Sequence, residues 1–109
     1  MPYVYLVQPC ELLDTNRYKI GMSSKNDKTR LSAYRLGAKH LIIYDTFDYK
    51  KLEKMLIDKF NQNFKLIAGN EYFQGDEVDM INTFNETIQE FETGLKSTKW
   101  MNKYRFKKI

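Results

Sequence analysis

The sequence predicts an α/β fold of the α+β sandwich kind: a small three-stranded antiparallel or mixed sheet flanked by helices, in the order β-β-α-β-α-(β)-α. Three observations lead there. Short runs of strand-forming residues alternate with segments whose apolar residues recur at helical spacing. A length of 109 residues suffices for one core but not for two domains of ordinary size. The composition, 42% hydrophobic with 15% aromatic and 29% charged, is that of a folded globular chain, and the seven Phe, eight Tyr and one Trp are expected to supply most of the core.

The elements follow in order. "YVYLV" (Tyr3 to Val7) holds strand formers throughout, and "PCELLDTN" has the Pro, Asp and Asn of a hairpin connection. "RYKIGM" returns as a second strand, whose Gly21 suits a strand end that approaches a phosphate or a neighbouring strand closely. On this strand Lys19 and Ile20 point to opposite faces, one toward a site and one into the core, which would set Tyr5 beside Lys19. Asn26 or Asp27 can cap a helix through "KTRLSAYRL" that stops at Gly37, while Ser23 and Ser24 can cap it or touch phosphate. "KHLIIYDTF" is apolar enough for a central third strand. Asp48 opens a helix "YKKLEKMLIDKFNQNF", and Gly69 ends the loop after it. "EYFQGD" reads as a short extended piece, Asp76 caps a helix reaching about Gly94, and the tail adds a final turn or two. Residues 1–95 therefore form one domain, with residues 96–109 as a basic, aromatic C-terminal tail.

The charge of +4 is segregated. Residues 17–65 carry twelve bases against five acids, residues 66–95 carry seven acids and no base, and residues 96–109 carry six bases and no acid. One reading makes the first basic block a nucleic-acid surface, extended by "KSTKWMNKYRFKKI"; the other folds the tail back on the acidic helix and neutralises it. No basic-then-apolar leader precedes the first strand and no apolar run approaches about 20 residues, so an intracellular protein without a membrane segment is expected. With Cys10 and His40 as the lone cysteine and histidine, a disulfide and a Cys/His zinc site cannot be built. Any metal would need oxygen ligands, which favours Mg2+ or Mn2+. His40 reads as a packing or surface residue, and the sequon at Asn85 as helix surface.

Helical arithmetic singles out Glu53. At about 100° per residue from Leu52, the residues Leu56, Phe60 and Asn63 fall near about 40°, 80° and 20°, with Glu53 near about 100° and Ile57 near about 140°. Glu53 sits in the apolar arc, where a carboxylate is costly unless paired, protonated or on a metal. An edge position paired with a neighbouring Lys is the alternative. Arg30 and Tyr34, four residues apart, put a guanidinium and a phenol on one helix face.

Together, "YVY", a turn, "KIG" with a hydroxyl residue two places on, "RLSAY", "LEKMLIDKF" and "GNEYF" resemble the GIY-YIG endonuclease superfamily, in its compact branch from phages and large DNA viruses, across roughly residues 3–75. The resemblance implies a DNA endonuclease that uses one Mg2+ or Mn2+ ion. Tyr5 matches the tyrosine of the first half-motif, and Lys19 stands where most members have the second tyrosine. Gly21 is that motif's glycine, Arg30 the helix arginine, Tyr34 the residue one turn on, and Glu53 the metal-binding carboxylate. Asn70 is the nearest candidate for the late asparagine, with Glu71 another polar group at that edge. Catalysis then falls to Tyr5, Lys19, Arg30, Tyr34 and Glu53, with Glu53 on the metal. DNA, with RNA or branched DNA as variants, would meet Lys19, Gly21, Ser23, Arg30 and Arg35, and then Lys99, Lys103 and Arg105 of the tail. A binding module of the same fold that does not cut, and an interaction domain using the acidic helix of residues 76–92, are the competing functions. The sequence does not indicate an oligomeric state.

Overall fold

A computed structural model describes residues 1–24 and 37–108, with side chains described as far as Gly94. Its strands are β1 (Tyr3–Gln8), β2 (Arg17–Ser23), β3 (Lys39–Asp45), β4 (Lys65–Ala68) and β5 (Tyr72–Gln74), and its helices are α1 (Tyr49–Asn63) and α2 (Glu77–Lys108). The strands form one five-stranded sheet in the order β3-β1-β2-β5-β4. Every pairing is antiparallel.

Three expectations need correcting. The sheet has five strands rather than three, because Tyr72–Gln74 of "EYFQGD" pair with β2 and "KLIA", which reads from the sequence as loop, pairs with β5. β3 is an edge strand rather than a central one, and Phe47 just beyond it is 76% exposed. The hairpin connection joins β1 to β2 as expected, through a 3-10 turn at Cys10–Leu12. The last helix does not stop near Gly94; it continues to Lys108. A segment that prolongs a helix cannot fold back on it. The helix expected through "KTRLSAYRL" lies outside the described residues, although Gly37, its proposed stop, has the left-handed φ of 79° that a glycine after a helix adopts.

The period-two alternation of β1 and β2 sorts their side chains onto two faces. Val4, Leu6, Tyr18 and Ile20, joined by Phe73 of β5, pack against Leu52, Leu56 and Phe60 of α1 and Met80, Phe84 and Phe91 of α2. Phe60 sits centrally, 5.4 Å from Phe73 edge-on and 4.9 Å from Phe64. Burying each such side chain stabilises the fold by about 1.5–3 kcal/mol. The opposite face carries Tyr3, Tyr5 and Val7, with Ala38 packed against them.

Polar contacts set the helices on the sheet. Asp76 Oδ2 accepts from the N–H of Asp79 at 3.1 Å and caps α2 as the sequence predicts. Asp48 precedes α1 without a side-chain cap bond. Glu77, in the first turn of α2, accepts from Tyr18 Oη at 2.9 Å and from Lys39 Nζ at 2.8 Å, tying the helix start to β2 and β3. Tyr44 donates to Glu92 further along, and Lys59 of α1 lies 3.4 Å from Glu90 of α2. Among the described residues no helix is long and apolar enough to cross a membrane.

Candidate active site

β5 accompanies β2 only part of the way. Their register runs from Arg17 opposite Gln74 to Lys19 opposite Tyr72, and the N–H of Ile20 then donates to the carbonyl of Glu71 at 2.9 Å. Past that bond the chain turns away through Asn70 to Gly69, whose φ of 55° is one a side-chain-bearing residue adopts only at a cost. Among the described strands none continues the pairing with β2 at Met22 on this side. A cleft of about 330 Å³ opens there, lined by Tyr5, Gly21, Met22, Glu53, Ile57, Asn70 and Glu71.

Each lining residue has a local reason for its place. Leu52, Leu56 and Phe60 commit one face of α1 to the core, and this rotates the half-buried Glu53 and Ile57 to the border of that face, over the cleft. The turn between β4 and β5 delivers Asn70 and Glu71. Tyr5 and Gly21 are cross-strand partners. A Cβ at residue 21 would overlap the Oη and Cζ of Tyr5 and lie 2.7 Å from its Cε1. The glycine therefore makes room for the tyrosine ring, which takes up the space that the sequence offers to a phosphate.

The electrostatics centre on Glu53. Loss of solvent, and secondly the negative charge of Glu71, raise its pKa above the ordinary carboxylate value. Two carboxylates and the Asn70 amide make an all-oxygen donor set, the chemistry that suits Mg2+ or Mn2+, and a cation would relieve the repulsion between the acids. Among the described residues no group of three or more His, Cys, Asp or Glu is gathered, in this cleft or elsewhere.

The structure thus brings Tyr5, Gly21 and Glu53 together, with Asn70 and Glu71 beside them. Lys19 is not part of the lining. It stands opposite Val7, diagonal to Tyr5 rather than directly beside it, with Nζ 5.4 Å from the centre of the Tyr72 ring. Ser23 is 6% exposed and opposite Tyr3. Arg30, Tyr34 and Arg35 lie outside the described residues, as do the side chains of Lys99, Lys103 and Arg105, whose backbone belongs to α2. His40 is exposed at the start of β3, and Cys10 is an exposed free thiol. Met22 and Ile57 are site residues that sequence reasoning misses. Ile57 carries a signal, since helical arithmetic sets it one step beyond Glu53; Met22 carries none, because its role depends on where β5 ends.

What fold and cleft define together is a compact α+β domain with an open, carboxylate-bearing cleft at the end of a strand. The chain belongs to the T5orf172 domain family, whose description matches residues 2–91, a span that includes every residue of the cleft. This is a phage-associated domain related to GIY-YIG and homing-endonuclease-like nucleases, so the chain is nuclease-like in its general class. Comparisons with curated proteins and with solved structures gave no match.

Proposed function

We propose that the domain is a divalent-metal-dependent DNA endonuclease of GIY-YIG type. One observation carries the reading: Tyr5, Gly21 and Glu53, matched to that superfamily from three separate stretches of sequence, line a single cleft together with Asn70, the nearest candidate for its late asparagine. Glu53, with Asn70 and Glu71 as further oxygen donors, would hold Mg2+ or Mn2+. A cation bound there supplies positive charge to the phosphate and to the leaving sugar oxygen.

The chain's own groups do the rest. Tyr5, which lines the cleft, would prepare the attacking water. In hydrolysis the water oxygen bonds to phosphorus, the P–O bond to the leaving sugar breaks, and that oxygen takes a proton. Arg30 binds the scissile phosphate and Tyr34 stands one turn on. Lys19, Arg35, Lys99, Lys103 and Arg105 attract the nucleic-acid backbone.

The place of Lys19 favours a second reading, a nucleic-acid-binding module of the same fold that does not cut, because its ammonium lies over Tyr72 outside the cleft lining. Incubation of the protein with plasmid in Mn2+ or Mg2+, with and without chelator, decides between them. Nicking that requires the metal and disappears in Glu53→Gln supports the nuclease. Binding with no nicking leaves the module.

A further inference from the structure

We propose that the main-chain N–H of Met22 is a phosphate donor of this cleft, placed to bind a non-bridging oxygen of a phosphodiester. The inference rests on the reading of the cleft as a phosphodiester site and adds a group that side-chain matching cannot find.

In an antiparallel ladder a residue directs its N–H and C=O to the same neighbouring strand, and successive residues alternate between the two neighbours. Ile20 points its N–H at the β5 side, where the carbonyl of Glu71 accepts it at 2.9 Å. Met22, two residues on, directs its N–H to that same side. β5 is no longer there, because its register with β2 ends at Lys19 opposite Tyr72. Beyond Ile20 no backbone hydrogen bond joins β2 to β5 or to the turn before it, among the described residues. The space on that side is the cleft, which Met22 lines together with Glu53, Asn70 and Glu71.

Met22 is half-buried, and an amide with no bonding strand among the described residues gains from an acceptor. The chemistry of the acceptor follows from its neighbours. Two carboxylates repel an isolated anion, so the ligand is an anion accompanied by a cation, as a phosphodiester on Mg2+ would be. Carboxylates cannot donate hydrogen bonds, and the Met22 N–H supplies a donor that they cannot.

The test is an amide NMR titration of the 15N-labelled full chain with Mg2+ present throughout, first with a short nuclease-resistant DNA duplex and then, separately, with inorganic phosphate. The Met22 amide proton is expected to move downfield in at least one titration, while the amide of Ile20, held by Glu71, stays. Affinity gives a second measure. An edge position whose N–H faces away from the sheet tolerates proline, so Met22→Pro removes the donor and Met22→Leu keeps it. Met22→Pro should bind the duplex about tenfold more weakly than Met22→Leu, the scale of one hydrogen bond to a charged group. A Met22 amide that stays fixed in both titrations overturns the proposal. So does equal affinity of the two variants when both melt cooperatively. If Met22→Pro does not fold, the amide shift decides. A Met22 shift with phosphate but no binding of DNA keeps the donor and removes the nuclease reading.

Discussion

The hydroxyl of Tyr5 lies where a side chain at Gly21 would have to begin, so the two residues are fitted to each other across β1 and β2. Gly21→Ala should therefore act as overpacking, costing about 1–3 kcal/mol and displacing the tyrosine from its place in the cleft lining. In a Tyr5→Leu background, with no phenol to collide with, the same substitution should cost less. Melting temperatures of the four proteins form the cycle; additive effects would show that the packing of the two residues does not determine the glycine.

Glu53→Gln is expected to abolish metal-dependent nicking while leaving stability at neutral pH equal or higher. The sign follows from the raised pKa. A carboxyl whose folded-state pKa is raised favours folding most below its unfolded pKa, and that contribution is lost as pH rises through the folded value. In chelator the mutant's advantage in melting temperature should be absent in acid and open as pH climbs. Glu71→Gln should shift that opening to lower pH, because Glu71 is the second cause of the raised value.

Glu77 gives the opposite profile. Its hydrogen bond from Lys39, and then that from Tyr18, lower its pKa, so its contribution is present above the ordinary carboxylate pKa and is lost as pH falls through the depressed value. Glu77→Gln should lower the melting temperature at pH 7 and make no difference in strong acid. The partner phenol is pushed up to about 12 by burial and by Glu77, so an alkaline absorbance titration should show Tyr18 ionising late, and earlier in the mutant.

Arg30→Ala should reduce cutting by orders of magnitude with little change in melting temperature, since an arginine that binds the scissile phosphate adds little to stability and much to a phosphoryl transition state. A parallel fall in both would make Arg30 structural.

Neutralising Lys99, Lys103 and Arg105 together should weaken DNA binding and flatten its salt dependence, by up to about 0.9 in the log–log slope for each phosphate that these side chains no longer neutralise. An unchanged slope would take these three residues out of the interface.

The periodicity of the sequence is enough to locate β1, β2, β3 and α1 to within a residue or two, and to set Glu53 within an apolar arc, at whose border the folded helix holds it. Those features depend on neighbours three or four residues away in a helix, or two in a strand, and such spacings are written in the chain itself. Three others are settled only in the folded molecule. β4 is four residues long and is a strand only because β5 pairs with it. Gly21, and not Lys19, faces Tyr5 because the connection through Cys10–Leu12 sets the register of the hairpin, and a shift of one residue would send every side chain to the other face. The cleft itself exists because β5 leaves β2 after Ile20. Each depends on segments distant in sequence coming together. Local propensity fixes what a segment can become, but register and strand ends are decided by the partner it meets.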